Sequence, residues 1–395
     1  MLARKPLSVL TTALVLSVSV LAACSGERDS LSELEGERTP SVERSVGFDG
    51  NVVRLGVIAD ITGPGGTLDR ARLTGVETYW SDVNTQGGLG GRYVVELDIL
   101  DHRGDPQIAE QAAPGLLEKV VALTFVNETA TGAVHPFLVA EQALGVVPTS
   151  TLDWENDPRF LTHVPPIEAV VLALFENQPS PNWCVITDGS PIGIATRNAS
   201  MRAAEVAQAQ NVTLIEVGED LNSATSAVAC GKVLVEVAGD FQIEAIDSLP
   251  ANREIYVRAG SAAAMGRTDL QFAYLDSGPA WNVDSSEGMR LFLAALLRHA
   301  PDVQPDTRVR DGYVSQIRLH QLLEQAVAEG DLRRPTLFAA SESQAGIDML
   351  GLAEQRLQPR NFNIWFSDNQ GDVSDQRGWQ LEGQLVTENV DALTN

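Results

Sequence analysis

Short apolar runs alternate with amphipathic segments along most of this chain, and this alternation constrains its fold more than any other feature. In the first block, strands are expected at residues 53–59, 93–100, 120–126 and 146–147, with helices at 69–84, 107–119 and 132–144 between them. Strand–helix–strand units of this kind build parallel sheets that carry helices on both faces. The sequence therefore predicts an α/β fold.

A second alternating block begins after Pro165 and Pro166. Strands are expected at 183–187, 212–217, 232–238 and 254–258, with helices at 167–176, 194–209 and 241–247. Two more helices, at 286–298 and 312–329, precede a mixed tail that contains an apolar run at 362–366. Helices that follow the second sheet indicate that the chain returns to the first.

We therefore expect two lobes, each built on a doubly wound parallel sheet and joined to the other by several crossing segments, as in a hinged clamp. The first lobe would comprise residues 51–164 plus 281–345, and the second 165–280 plus 346–395. An apolar fraction of 44% is ample for two packed cores.

The start of the chain carries the pattern of a secretory signal. An apolar segment at residues 7–23 follows two basic residues, is short for a membrane span of about 20 residues, and ends in Leu-Ala-Ala before Cys24. A cysteine in this context resembles a lipobox, whose thiol is diacylated. The sequence predicts a signal peptide over 1–23, lipidation of Cys24, a flexible tether over 24–50, and a position on the extracytoplasmic face of the cell membrane. An ordinary signal peptide with an incidental cysteine is the alternative.

The charge of the chain limits its partners. The formal net charge is -25, and removal of residues 1–23 takes away Arg4 and Lys5 but no acid, which makes it -27. Such an acidic surface repels phosphate backbones and anionic lipid headgroups. We therefore expect no nucleic-acid partner, and membrane contact through the lipid anchor alone.

Two cysteines remain in the exported chain, Cys184 and Cys230, and an oxidising compartment would allow them to pair. Both stand at the start of predicted strands. If these are the first and third strands of a sheet ordered 2-1-3-4-5, they are neighbours with matching ends. The two residues either form a disulfide or are two small buried side chains.

Motifs of common enzyme classes do not occur in the sequence. The five histidines are scattered, without an H-E-x-x-H helix or a His/Cys cluster for zinc. The Gly-rich stretch at 189–193 lacks the spacing of a nucleophile elbow, and that at 88–91 follows a helix, whereas a dinucleotide fingerprint follows a strand. We expect no catalytic residue, no metal and no cofactor.

Several motifs of the first block recur in a fixed order. They are Gly-Val-Ile-Ala-Asp-Ile-Thr-Gly-Pro at 56–64, Gly-Val-Glu at 75–77, Asp-Val-Asn at 82–84, the glycines at 87, 88 and 91, Asp101, and Asp105 with Pro106. Together they resemble the Leu/Ile/Val-binding family of type 1 periplasmic solute-binding proteins, the receptors of ABC importers. Gly-Asp-Leu at 330–332 followed by Arg334 is similar to a late stretch of family members. The resemblance covers the chain after Gly47 and implies the type 1 periplasmic-binding fold.

In open α/β sheets, ligands bind outside the carboxyl ends of the strands, where helix N-termini offer backbone donors. In the first lobe this edge carries the loops 62–67, 127–131 and 149–151. Thr62 lies in the first of them. The resemblance implies that one hydroxyl after the third strand and one after the fourth hold the ligand carboxylate, which matches Thr131 and either Ser150 or Thr151. A plain helix cap is the alternative role for Thr131.

The second lobe departs from the amino-acid-binding members. Where they carry a tyrosine and an ammonium-binding glutamate, this chain has Gly-Asp-Phe around Asp240 and Arg-Ala-Gly from Arg258. Asp240 could replace the glutamate, while Arg258 in the cleft would favour a carboxylate-rich ligand. A solvated strand edge is the alternative for Arg258. Asp188 is a further cleft candidate, with an ordinary turn as its alternative.

The sequence thus predicts a monomeric, lipid-anchored receptor of an ABC importer that closes around a small polar solute, an amino acid or related carboxylate, and docks on a permease. The alternative is an extracytoplasmic sensor of the same fold that docks on a signalling partner. A secreted hydrolase is disfavoured, because no nucleophile motif is present.

Overall fold

The computed structural model of the chain describes residues 41–148, 151–209, 211–218, 229–237, 245–258, 271–276, 286–343, 360–367 and 379–387. Of the residues singled out above, Cys24, Ser150 and Asp240 lie outside these ranges. Among the described helices, none has both the length and the apolar character that a membrane span requires.

The first sheet has five parallel strands in the order β2-β1-β3-β4-β5. Its strands are β1 (Val52–Ala59), β2 (Val94–Asp101), β3 (Leu123–Phe125), β4 (Gly145–Val147) and β5 (Phe160–Thr162). The helices between them are α1 (Gly66–Thr85), α2 (Pro106–Leu117), α3 (Thr131–Glu141) and α4 (Leu152–Asn156). The order 2-1-3-4-5 is that of a doubly wound sheet.

The second sheet has seven strands in the order β12-β11-β10-β9-β8-β6-β7. They are β6 (Trp183–Thr187), β7 (Val212–Glu216), β8 (Lys232–Glu236), β9 (Glu254–Arg258), β10 (Gln271–Asp276), β11 (Arg360–Ser367) and β12 (Trp379–Thr387). Described helices of this part are α5 (Ile167–Asn177) and α6 (Pro191–Val206). The strands from β6 to β10 repeat the parallel 2-1-3-4-5 order, whereas β11 and β12 are antiparallel additions at one edge. The predicted α/β fold with doubly wound sheets is confirmed.

Three late helices pack against the first sheet. They are α7 (Glu287–His299), α8 (Thr307–Glu329) and α9 (Arg334–Ser343). Phe292 of α7, Leu322 of α8 and Leu337 of α9 share one hydrophobic core with Leu55 of β1. The chain therefore returns to the first sheet after β10, although the exact limits proposed for the two lobes remain a prediction.

A close contact between α1 and α8 makes this return possible. A Cβ atom on Gly75 would lie 2.0 Å from the carbonyl oxygen of Val309, and one on Gly312 would lie 1.9 Å from that of Arg72. Trp80 Nε1 donates a hydrogen bond to Gln316 Oε1 at 3.0 Å farther along the same pair of helices. The two helices run parallel, so α8 begins beside the start of α1, at the carboxyl edge of the first sheet.

Cys184 and Cys230 are joined by a disulfide, with sulfur atoms 2.01 Å and Cα atoms 5.7 Å apart. Cys184 lies in β6, and Cys230 shortly precedes β8, which pairs with β6 in parallel as the order 2-1-3 predicts. Both residues are buried in an apolar cluster. A cross-link between residues 46 positions apart stabilises a fold by about 4 kcal/mol in the chain-entropy account.

We predict that Gly312→Ala destabilises the protein by about 1–3 kcal/mol, because its methyl group would overlap backbone atoms of α1. Gly115→Ala is the matched control: a Cβ there meets no atom within 4 Å, so the change should be neutral or stabilise helix α2 by up to about 1 kcal/mol. Urea denaturation measures both. Equal effects of the two substitutions would show that the helix contact does not require glycine.

Candidate functional site

The loop between β1 and α1 is organised by two carboxylates. Asp60 is 2% exposed, and its oxygens accept hydrogen bonds from the N–H groups of Gly63 at 2.6 Å and Gly65 at 2.7 Å. Asp101, at the end of β2, accepts from the N–H of Ile61 at 2.9 Å. The backbone donors of this loop therefore turn inward to Asp60 and Asp101, and are not presented to a ligand.

Thr62 is held by the same arrangement. Its hydroxyl donates a hydrogen bond to Asp101 Oδ2 at 2.6 Å. The hydroxyl proton is therefore already engaged, and Thr62 could offer a ligand only its hydroxyl oxygen as an acceptor. Partial burial would raise the pKa of Asp101, but the hydrogen bonds from Thr62, Ile61 and Arg103 outweigh it and lower that pKa to about 2. Asp101 is thus ionised throughout the physiological range.

Thr131 is the first residue of α3, and its side chain is completely buried. The cap position belongs to Ala130, and no side chain caps this helix. Among the described residues, none forms a hydrogen bond with Thr131 Oγ1. The helix-cap alternative for Thr131 is therefore wrong, and a buried hydroxyl without a partner, which costs about 1–3 kcal/mol, stands at the carboxyl edge of the sheet.

Thr151 and Asp188 have local roles. Thr151 caps α4, where its hydroxyl oxygen accepts a hydrogen bond from the N–H of Trp154 at 3.2 Å. Asp188 accepts from the N–H of Ser190 at 3.1 Å, and Ser190 in turn caps α6. Asp188 directly follows β6, and Thr151 lies between β4 and α4, but each takes part in the start of the next helix. Arg258 is the last residue of β9.

Sequence reasoning missed a buried polar network at the same edge. Asp69, on the first turn of α1, is 3% exposed and accepts a hydrogen bond from the N–H of Asp60 at 2.8 Å and another from the amide of Asn127. The Asn127 amide also lies 3.4 Å from His102 Nε2. Asp69 therefore links the loops that follow β1, β2 and β3.

Burial raises the pKa of Asp69 to about 6, against the opposing effects of Arg72 and of these hydrogen bonds. The only sequence signal for the network was two charged residues, Asp69 and Arg72, on one face of an otherwise amphipathic helix. His163, directly after β5, is a second buried histidine that the sequence did not single out.

Within the described part of the chain, no group of three His, Cys, Asp or Glu side chains could hold a metal ion. The arrangement at this edge combines carboxylate, hydroxyl, amide, imidazole and guanidinium groups. Such groups bind polar solutes through hydrogen bonds and charge.

Comparisons with known proteins agree with this fold. Residues 52–229, a little under half of the chain, match the family model described as periplasmic binding protein. No curated protein matches the sequence.

Several solved structures with a similar fold carry titles that name ABC transporter proteins. A fatty acid ABC transporter substrate-binding protein from Thermomonospora curvata is 17% identical, with a TM-score of 0.74 over 90% of this chain and 96% of that one. A branched chain amino acid ABC transporter from Thermus thermophilus with bound valine is 14% identical, with a TM-score of 0.71 over 86% and 97%. A solute-binding protein from Rhodopseudomonas palustris BisB5 in complex with 3,4-dihydroxy benzoic acid is 14% identical, with a TM-score of 0.66 over 85% and 98%. At these identities the comparison shows the fold, that of the two-lobed type 1 periplasmic binding proteins.

We predict that Asp69→Asn changes the dependence of stability on pH. Because the folded-state pKa of Asp69 is raised from 3.8 to about 6, its protonated form contributes stability that is fully present below pH 3.8 and is lost as the pH rises through about 6. The unfolding free energy of the wild type relative to Asp69→Asn should therefore fall by about 3 kcal/mol between pH 3.5 and 7.5. Urea denaturation across this range measures it, and a difference that is constant with pH would contradict the assignment.

Proposed function

We propose that this chain, which has the fold of the type 1 periplasmic binding proteins, is the extracytoplasmic solute-binding receptor of an ABC importer. It would capture a small polar ligand between its lobes and present the closed form to a membrane permease. The match to the periplasmic binding protein model and the fold of the structural neighbours support this role. No covalent step is involved, so binding and lobe closure are the whole of the mechanism.

The observation that carries the proposal is the buried hydroxyl of Thr131, which has no hydrogen-bond partner among the described residues. It stands at the N-terminus of α3, where N–H groups and the helix dipole favour an anionic group. A ligand carboxylate placed there would accept the hydroxyl proton. Lobe closure would then exclude water, so that the bond acts in a lower dielectric.

The ligand class we propose is an amino acid or a related carboxylate. Structural neighbours of this fold were solved with valine, 3,4-dihydroxy benzoic acid and benzoate, all of which carry a carboxylate. The sequence motifs that resemble the Leu/Ile/Val-binding family point the same way. Thr131 would be the main anchor in the first lobe, because the hydroxyls of Thr62 and Thr151 already serve local hydrogen bonds.

The remaining predicted contacts are part of the proposal. Ser150 would supply a second hydroxyl to the carboxylate, and Asp188, Asp240 and Arg258 would face it from the second lobe. The receptor would act as a monomer, with the lobes divided near residues 164, 280 and 345.

We predict that carboxylate ligands raise the melting temperature of the protein in a thermal-shift screen of valine, benzoate, 3,4-dihydroxybenzoate, glutarate and a neutral amide. A ligand at one hundred times its dissociation constant adds about 2.7 kcal/mol of stability. Thr131→Val, which keeps the shape and removes the hydroxyl, should weaken binding by about 0.5–1.5 kcal/mol, with unchanged or higher stability of the free protein.

Thr78→Val is the matched control, because Thr78 is also buried with no described partner but lies three turns into α1. It should leave affinity unchanged. A screen without any stabilising solute would count against the receptor role, and equal affinities of the wild type and Thr131→Val would remove Thr131 from the site.

We also propose that acyl chains on Cys24 hold the receptor at the membrane. Removal of residues 1–23 would leave a chain with a net charge of -27, which repels anionic lipids, so the proposed anchor is covalent. Cys24→Ala should yield unprocessed or released protein. Membrane fractionation of labelled cells tests this: recovery of the variant as a mature acylated membrane protein would contradict it.

A further inference from the structure

The short helix α4 contacts two hydrophobic cores of the protein. Its Trp154 packs against the cluster on one face of the first sheet, with its ring centroid 5.6 Å from that of Phe160 in β5. Its Leu152 packs against the cluster that α5 forms with the second sheet. Two positions along a helix correspond to a rotation of about 200°, so these two side chains lie on opposite sides of α4. The helix therefore lies between the two cores and joins them.

A side chain of α5 holds the start of α4. The backbone N–H of Leu152 donates a hydrogen bond to Glu168 Oε2 at 3.0 Å. Glu168 lies in the first turn of α5, on the segment that leads from the first sheet to the second. Leu152 is the first residue of α4, and an N–H at this position has no partner within its own helix. Thr151, which caps α4, directly precedes it. The bond therefore fixes the position of Thr151 relative to α5 as well.

This hydrogen bond keeps a carboxyl group in an environment that disfavours its charge. Burial raises the pKa of Glu168 to about 7, against the hydrogen bonds from its own N–H and from that of Leu152. Asp153 and Glu155, both on α4, raise this pKa further. A glutamine would accept the same hydrogen bond without a charge to bury. The substitution Glu168→Gln therefore keeps the contact with α4 and removes the cost of the charge.

We infer that α4 is a strap between the two cores, and that Glu168 is a positioning residue that holds the start of this strap, and Thr151 with it, in place for the ligand. The strap rests on the contacts of α4 alone, whereas the role toward the ligand rests on the proposed receptor function. Because Trp154 fixes α4 to the first core, a movement of α5 relative to the first sheet pulls on α4 through Glu168 and Leu152. Lobe closure would therefore shift Thr151, and a change at Thr151 would be transmitted to α5.

Hydrogen exchange measured by mass spectrometry on the whole protein tests the strap without any ligand. Glu168→Ala should increase the exchange rate of the α4 amides about 2- to 12-fold, as expected for the loss of one neutral hydrogen bond. Amides of α3 should keep their wild-type rates, which would exclude misfolding as the cause. Glu168→Gln should restore the wild-type rates in α4, because its amide oxygen accepts the same bond.

Calorimetry with valine and benzoate tests the positioning role. We expect Glu168→Ala to bind these probes about 2- to 12-fold more weakly than the wild type, and Glu168→Gln to bind them as tightly as the wild type. Because the folded-state pKa of Glu168 is raised from 4.5 to about 7, its contribution to stability is fully present below pH 4.5 and is lost as the pH rises through about 7. At pH 8 Glu168→Gln should therefore melt at the same or a higher temperature than the wild type.

Glu287→Ala is the matched control, since Glu287 is also an acid in the first turn of a helix, α7, but is exposed to solvent. It should leave exchange in α4 and both affinities unchanged. Wild-type exchange of α4 in Glu168→Ala would overturn the strap. Undiminished affinity of that variant for a probe that the wild type binds would overturn the positioning role and leave the receptor function intact. Failure of every carboxylate to bind the wild type would overturn the receptor function and the positioning role, whereas the exchange rates would still decide the strap.

Discussion

The close backbone contact between α1 and α8 is the constraint on which the first lobe depends. Gly75 and Gly312 let the two helices approach until carbonyl groups of one touch Cα atoms of the other. The helices are separated by more than 200 residues of sequence, and between them the chain builds most of the second sheet. Because they run parallel, the contact places Arg310 and Asp311 beside Arg72. The contact thus shapes the core of the lobe and brings charged residues together at the carboxyl edge of the first sheet.

The electrostatics of that edge differ from those of the whole chain. The protein carries a net charge of -25. This value does not describe the buried groups at the ends of β1, β2 and β3, because each of them has its own local environment. Asp60 and Asp101 accept hydrogen bonds from backbone N–H groups, and Asp69 links three loops. Arg72 offsets part of the negative charge of these carboxylates. Local burial and hydrogen bonding, rather than net charge, decide which ligand groups this edge could accept.

The sequence predicted the long, periodic elements well. Strand β6 is found at the predicted residues, and α1 and β8 close to them, because buried parallel strands read as apolar runs and helices as amphipathic ones. Strands β5 and β10 were not recognised in the sequence. The antiparallel pairing of β11 and β12 could not be deduced, since it depends on contacts with β10 that are distant in sequence.

The candidate site was predictable only at the level of loops. The rule that ligands bind at carboxyl strand ends selected this edge, which stays a prediction. It could not distinguish Thr131, which has no described partner, from Thr62 and Thr151, whose hydroxyls bond to nearby groups. Asp69 and His163 were not identified from the sequence, because a charged residue near the start of a helix and a histidine before prolines are both typical of surface positions. Their burial arises from tertiary packing.

The position of the disulfide has a consequence for how the chain is made. It joins β6 and the approach to β8 at their amino ends, opposite the edge where ligands of such sheets bind. A newly made chain in a reducing cytoplasm has no such bond, and its second sheet then lacks about 4 kcal/mol of stabilisation. In the extracytoplasmic receptor proposed above, the chain would therefore be easier to unfold, and so easier to pass through a translocation channel, before the bond forms than after it.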